Sequence, residues 1–564
     1  LHAMFFDEPV EVTLATRKQD NYSQSLVNVT CAADAQQLAY WSKRPELLFL
    51  KGKLPYKALV EINHRPRDKT NLVELSKQEL SPEEVSEVRQ SASEFAEQAL
   101  AAVTVTSNLA NVVVDLPAPY GKTANEERPL EFKLWLHDSQ SQIDVRYNND
   151  IQALFRTDRE RNNGLLNANI ALSSEANFSD KPQFLVSGYL PEVDLDVLKT
   201  VQARYKTYTE RLSPVVVQGL NTASSSVSPL MVDTEAEGEI AGLPFRTEVM
   251  LGQYELGSMK LENLNVVAVP VRAGWQLDLK NSVVEGRVLV PDSRFNPLQV
   301  DLARLSLSKE ILGLSEPVSG ADNGTTNGTT DGEPAEPATP PVPKEVIDPR
   351  KLPLANISVG SLLLDDNNYG SWSLQLRPNS TGVVIGNIRG SIRGVTVTGI
   401  DGSPNGAKLI WQDGPEGVQT RFMGNLETGD MAAVLRAWDK PDTIESHAAR
   451  YRTDLYWPGS PQDFGLVNLS GDMSIWLEKG RFKRDATAGD GILRLMSVLN
   501  FDSLARRMRL DFSDLYKSGL AYDEINGKVR FNRGVMVFEE PLLVRTPSSG
   551  LQMAGTINLR KETI

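Results

Sequence analysis

The four histidines, His2, His64, His137 and His447, lie far apart along the chain, and none forms an H-x3-H or HExxH pair. Glu445 and His447 have a spacing that could serve acid–base chemistry, but an exposed loop histidine is the expected reading. Asp365-Asp366 and Asp511-x-x-Asp514 could each offer carboxylates to a cation. Neither pair has further oxygen ligands nearby in sequence, so turn and cap roles are expected. The one cysteine, Cys31, can build neither a disulfide framework nor a thiolate metal site. No G-x-S-x-G elbow, Walker A loop or G-x-G-x-x-G fingerprint occurs. The glycines of Gly382-Val-Val-Ile-Gly386 and Gly390-Ser-Ile-Arg-Gly394 sit in β-branched runs with no helix behind them, which points to close strand packing or bulges. These observations predict a protein that is not an enzyme and uses no metal or cofactor.

The elements that would carry such residues are mostly strands. Leu166, Ala168, Ile170 and Leu172 alternate with Asn167, Asn169 and Ala171, and Trp275, Leu277 and Leu279 alternate with Gln276, Asp278 and Lys280. Trp372, Leu374 and Leu376 repeat the design, as do Leu551 with Met553 and Ile557 with Leu559. Period-two patterning means a strand with one apolar and one wet face. Asn163-Gly164, Asp401-Gly402, Asp413-Gly414 and Asn526-Gly527 read as turns between strands, so a mainly antiparallel sheet is expected. From the pattern alone a two-sheet core is favoured over a lipid-lined surface, although both ask for the same side chains. The order Gly188-x-Leu190-x3-Asp194-x3-Leu198 recurs as Gly424-x-Leu426-x3-Asp430-x3-Val434, each a strand end, a capping acid and a short helix.

The 564 residues carry a net charge of −14, which argues against nucleic acid, while 40% hydrophobic and 23% charged residues describe a folded chain. No apolar run of about 18 residues is present, so no helical membrane span is expected. The chain starts at Leu1 without an export signal, which reads as a fragment whose membrane anchor lies upstream. Four segments are expected: a β unit over 1–212 with an inserted helix near 81–100, a β unit over 213–319, a Gly/Thr/Pro linker over 320–350, and a C-terminal β unit over 351–564. Asn323 and Asn327 in the linker fit glycosylation acceptors but read as solvated linker. A helix near 490–508 has Ile492, Leu493, Leu495, Met496, Val498 and Leu499 all round it, with Arg506, Arg507 and Arg509 following. Such a helix either plugs a β core or enters an interface bearing anionic headgroups.

The order Tyr456-Trp-Pro-Gly-Ser-Pro461, Leu469-Ser-Gly-Asp472, Ile475-Trp-Leu-Glu-Lys-Gly480, the apolar helix and Arg509-Leu-Asp-Phe-Ser-Asp514 resembles the C-terminal portion of the YhdP group in the AsmA-like family of Gram-negative envelope proteins. Val114-Asp-Leu-Pro-Ala-Pro-Tyr-Gly-Lys122 with Arg128-Pro-Leu130 is similar to the same pattern, as is the stretch from Asp430 to Trp438. The resemblance implies a mainly β fold: a long curved antiparallel sheet forming an open apolar groove, with short helices and a C-terminal helical cap. It implies a periplasmic location, anchored to the inner membrane, and phospholipid carried between the inner and outer membrane surfaces, with possible envelope protein partners. Acyl chains would then lie against Leu166, Ala168, Ile170, Leu172, Trp275, Leu277, Leu279, Trp372, Leu374, Leu376, Met553 and Ile557. The helix near 490–508 and its arginines would meet the distal membrane. Two other readings stand beside this one: a scaffold for outer-membrane protein assembly, as in the related TamB group, and a closed β structural module.

Overall fold

The computed structural model describes residues 2–5, 8–19, 22–64, 99–159, 164–192, 195–212, 239–240, 242–256, 259–308, 348–365, 367–400, 405–415, 417–438, 441–483 and 520–560. The expected helices near 81–100 and 490–508, nearly all of the 320–350 linker, and Asp366, Asp511 and Asp514 lie outside them. The chain divides into two compact units, Leu1–Asn281 and Ser282–Ile564. Both are mainly β.

The first unit is one ladder. Antiparallel pairing carries it from Glu8–Gln19 through Tyr22–Asp34, Lys53–His64, Ala101–Ser107, Leu130–Leu136, Gln140–Tyr147 and Ile151–Asp158 to Gly164–Leu172. Two parallel pairings follow, onto Phe184–Glu192 and then Leu243–Leu256. Hairpins add Met259–Val271 and Gly274–Lys280. The ladder is therefore mixed where the alternation alone suggested antiparallel strands, because a crossover that returns the chain to its starting edge leaves the next strand parallel. The crossover 173–183 is held by side chains of the strand it crosses: Asn167 Nδ2 donates to the Ser179 carbonyl (2.8 Å) and Asn169 Nδ2 to that of Asn177 (2.7 Å). These two asparagines, which the alternation places in water, are buried beneath it.

In the second unit Val284–Pro291 pairs with Leu298–Leu307, which runs parallel to Ala355–Leu364. Antiparallel pairing then continues through Trp372–Pro378, Gly382–Ile392, Ala407–Gly414, Gly417–Thr428, Ile444–Pro458, Ser470–Phe482, Leu520–Asn532 and Val535–Arg545. The last of these carries both Gly550–Met553 and Thr556–Asn558.

Local chemistry accounts for the punctuation. Asp413-Gly414 does open a tight hairpin, with Gly414 opposite Gly417. Asn526-Gly527 does not turn the chain; it lies within Leu520–Asn532, where the register slips between Asn526 and Lys528. A Cβ at 527 would come within 2.9 Å of the Leu542 side chain, so this glycine serves close strand approach at a bulge. Helix Met431–Ala437 begins where expected, with the Asp430 carboxylate accepting from Ala432 N (2.9 Å). Helix Leu195–Leu212 follows the earlier copy of that pattern and is longer than expected. A third helix, Ala35–Ser42, is capped in the same way by Asp34.

Candidate functional site

Directly opposed residues of neighbouring strands share a face, so the registers trace one face of the first unit from strand to strand. Leu14 stands opposite Val27, Val27 opposite Val60, Val60 opposite Val103, and Val103 opposite Leu134. Leu134 then meets Ile143, Ile143 meets Phe155, and Phe155 meets Ala168. The parallel pairs keep the face, placing Ile170 beside Val186 and Val186 beside Thr247. Thr247 opposes Ala268, and Ala268 opposes Leu277. Ala168, Ile170, Leu172, Trp275, Leu277 and Leu279 thus belong to one apolar face. A β-bulge interrupts the run at Leu166: Thr157 opposes Leu165, which packs with Phe155 on the cluster of Ala168, Phe184 and Leu243, and Leu166 has no partner in the register.

The opposite face is mostly polar. It holds Lys133, Asp144, Gln152 and Asn169 in successive strands, with Asp144 pairing with Arg146 (3.1 Å) and accepting from Gln152 Nε2 (3.2 Å), and its apolar patch of Leu154 and Ala171 is buried with Ala176 of the crossover.

Along the middle of the apolar face, Val60, Val103, Phe132, Leu134, Val145, Phe155, Val186 and Leu277 are each only partly buried, and Trp275 is 39% exposed. Side chains between two packed layers would be nearly inaccessible. One margin of the face is closed. Leu54, Tyr147, Leu130 and Ile151 pack there with Leu109, Val112 and Val114 of the loop between Ala101–Ser107 and Leu130–Leu136. That loop is fastened by Lys122, whose Nζ donates to the carbonyls of Leu109 (3.0 Å), Thr123 (2.9 Å) and Val112. Burial holds the Lys122 ammonium below its ordinary value. Tyr147 Oη donates to the Tyr120 carbonyl, and Asp115, whose carboxyl is held low first by the hydrogen bond from Lys51, also pairs with Arg204 of helix Leu195–Leu212.

The second unit repeats the arrangement. Val300 lies beside Ile357, Ile357 opposite Leu374, and Ala355 opposite Leu376, which meets Ile385. Ile385 opposes Leu409, Leu409 opposes Phe422, and Phe422 opposes Leu455. Trp372, Leu374 and Leu376 are therefore on one partly exposed face. Towards the C-terminus this face becomes a closed core: Val529 and Val544 are fully buried, Met536 nearly so, and Ile557 joins Val529 and Met536 in one cluster. Met553 packs on the adjoining cluster around Val544. The polar side is laced by ion pairs, with Arg421 bidentate on Asp454 and Asp472 held by Arg530.

The residues that could do chemistry are dispersed. His447 lies exposed on strand Ile444–Pro458 rather than in a loop, and Glu445 pairs with Lys483 (2.8 Å) and Arg481 (3.6 Å). His64 shares a 2.9 Å hydrogen bond with Ser25, and burial lowers the His137 imidazole. Asp365 sits in a turn with positive φ. Gly390 packs against the Trp372 ring, and the strand carrying Gly382 and Gly386 bulges between Ile385 and Ile388, as the β-branched context suggested. Among the described residues no group of three or more His, Cys, Asp or Glu side chains could hold a metal, and no helix is long and apolar enough to cross a membrane. The most specific motif at sequence level ends a strand paired on both sides: Trp457 is buried, its Nε1 donates to the Ser460 carbonyl (2.9 Å), and Ser460 forms a capping box with Asp463.

Sequence reading singled out only the longest alternations. It missed Val103, Phe132, Leu134, Val145, Phe155 and Val186, whose shorter alternations carried the same signal, and it missed Lys122 as an anchor.

No solved structure matches this chain. The intermembrane phospholipid transporter YhdP of Escherichia coli (strain K12) is 28% identical over 150 residues, an alignment covering 26% of this chain and 12% of that protein. The sequence profile of the YhdP protein family matches residues 1–564, the whole chain, and so the protein belongs to the YhdP family.

Proposed function

We propose that this chain carries phospholipid between the inner and outer membranes of a bacterial envelope, the acyl chains lying on the apolar sheet faces and the headgroups remaining in water. The observation that carries the reading is the register of the first unit. It collects apolar side chains of strand after strand on one face, yet leaves that face only partly buried. Strands stand about 4.8 Å apart, so the ladder from Glu8–Gln19 to Gly274–Lys280 offers a face roughly 50 Å long. Each methylene of a two-chain lipid exposed to water costs about 0.8 kcal/mol, and a continuous apolar face removes most of that cost without any catalytic group. The family relationship and the name of the Escherichia coli relative support the same cargo.

On this reading Ile170, Leu172, Trp275, Leu277, Leu279, Trp372, Leu374 and Leu376 touch lipid, while Ala168, on the same face but fully buried in a cluster with Phe184 and Leu243, lies beneath the path. Leu166 at the bulge and Met553 beside the closed core stand at the borders of the path, and Ile557, buried within that core, lies outside it. Ile492 to Leu499 and the arginines 506, 507 and 509 would contact the receiving membrane. A periplasmic location with an inner-membrane anchor belongs to the same proposal.

Photo-crosslinking in cells from single probes at Leu277 and Leu374, with Asp278 and Gln375 as opposite-face controls, tests it. Phospholipid adducts confined to the leucine positions are expected. Protein adducts alone would favour an assembly scaffold, and no adducts a closed structural module; either would sink the proposal.

A further inference from the structure

Helix Met431–Ala437 lies against the apolar face of the second unit, and a cavity of about 260 Å³ remains beneath it. Leu426 and Tyr451, opposed on that face, form its floor, and Met431, Val434, Leu435 and Trp438 form its helical wall. The Tyr451 hydroxyl faces the Met431 sulfur (3.5 Å), and burial pushes this phenol up to about 12. The tight turn at Arg393-Gly394, both with positive φ, abuts the helix at Val434, and Val395 beyond the turn lines the cavity. The Arg393 guanidinium lies over two aromatic rings, 4.9 Å from the centroid of Tyr369 and 5.5 Å from that of Trp438. Those rings meet edge to face at 6.3 Å. Among the described residues Arg393 has no carboxylate partner, whereas its neighbours Arg436 and Arg450 are paired with Asp442 and Glu427.

We infer that this is a discrete amphiphile site in which the cavity takes part of one acyl chain and Arg393 takes the phosphate of an anionic phospholipid headgroup. An apolar cavity with a pre-positioned, unneutralised guanidinium at its rim matches a chain joined to a phosphate. Cation–π contact with the Tyr369 and Trp438 rings positions the cation without consuming its charge, so its N–H donors stay free for phosphate oxygens. The site selects for headgroup charge, which the apolar faces cannot do. The identity of the occupant rests on the lipid-carrying function proposed above.

The test uses the whole chain and two short-chain lipids kept as monomers, dihexanoyl phosphatidylglycerol and dihexanoyl phosphatidylcholine, with inorganic phosphate as competitor. The wild type should bind one phosphatidylglycerol at this site at least about tenfold tighter than phosphatidylcholine, the scale of one charge-assisted contact. Arg393→Gln should erase the preference, weakening phosphatidylglycerol far more than phosphatidylcholine, whose phosphate also meets Arg393 but whose choline cation offsets the attraction, and Arg393→Lys should retain part of the preference. Val395→Trp, which fills the cavity from a partly exposed position, should abolish binding of both lipids; if that variant does not fold, the Arg393 pair decides alone. An undiminished preference in Arg393→Gln, or inorganic phosphate competing as well as the lipid, overturns the inference, the latter by showing an anion site with no chain. Crosslinking at Leu277 in the same preparations separates the two claims. Lipid adducts there with an unaltered Arg393→Gln variant refute the side site alone, and no adducts anywhere refute the transport function as well.

Discussion

Leu277→Asp distinguishes an open apolar face from a packed core, and Val529→Asp is its internal reference. Leu277 is partly exposed and stands opposite Ala268 on the apolar face, whereas Val529 is fully buried among Leu455, Phe531 and Met536. Fully burying a leucine side chain is worth about 1.5–3 kcal/mol, so a partly buried one forfeits at least about 1 kcal/mol when removed. The poorer strand propensity of aspartate adds up to about 1 kcal/mol. Because the new carboxylate can reach water, its desolvation adds little, and the total for Leu277→Asp is about 1–2 kcal/mol. At Val529 the lost burial combines with a carboxylate that must be desolvated or protonated, giving about 4 kcal/mol or more. Hydrogen exchange on the strands Met259–Val271 and Leu520–Asn532 reads the two sites separately in one molecule. Lipid co-purifying with Leu277→Asp should fall sharply although the chain remains folded, since a charge now interrupts the acyl path. Equal destabilisation by the two substitutions would show that Leu277 is enclosed. A stable Leu277→Asp with undiminished lipid would show that the face does not carry the cargo. Either result refutes the reasoning.

Other substitutions probe the supports of the faces. Lys122→Met keeps the buried stem but leaves the Val112 carbonyl without its donor, and should cost about 1–3 kcal/mol in thermal denaturation, loosening the 108–123 loop first. Burial lowers the Lys122 pKa from 10.5, so the unfolded state binds the proton more tightly. The wild type should therefore gain stability as pH rises from the lowered value towards 10.5, and the methionine variant should lack that slope. Asp430→Ala removes the cap of helix Met431–Ala437 and should speed amide exchange there by about 1 kcal/mol of local stability, with short-chain phosphatidylglycerol binding reduced in parallel. Gly390→Val places a side chain within the Trp372 ring, which a Cβ would approach to 2.4 Å, and should cost about 1–3 kcal/mol. The Trp372 indole donates to the Tyr369 carbonyl (2.8 Å), so that variant should also disturb the ring under Arg393 and lower anionic selectivity; unchanged selectivity would detach the two.

The amino-acid sequence alone determined that the chain is mainly β, where Asp430 caps a helix, and which side chains of each long strand share a face. These are local properties: alternation sets a face within one strand, and a carboxylate beside the first free amides of a helix needs no distant partner. The family signature was legible for the same reason, being carried by contiguous motifs such as Tyr456 to Pro461. Turn chemistry was less secure. Asp-Gly at 413–414 became the last paired residues of a strand entering a hairpin, and Asn-Gly at 526–527 became a bulge, because whether a glycine turns the chain or admits a neighbour depends on the adjoining strand. Only the tertiary structure decided that the faces of successive strands coincide. The parallel crossover at 173–183 and the slip at Leu166 are set by pairing between segments, and a shift of one residue would turn a strand's apolar set to the other side. Tertiary packing likewise buried Asn167 and Asn169, caged Lys122 in carbonyls and brought Arg393 to two rings distant in sequence, since burial and charge pairing belong to the assembled sheet and not to any one segment of it.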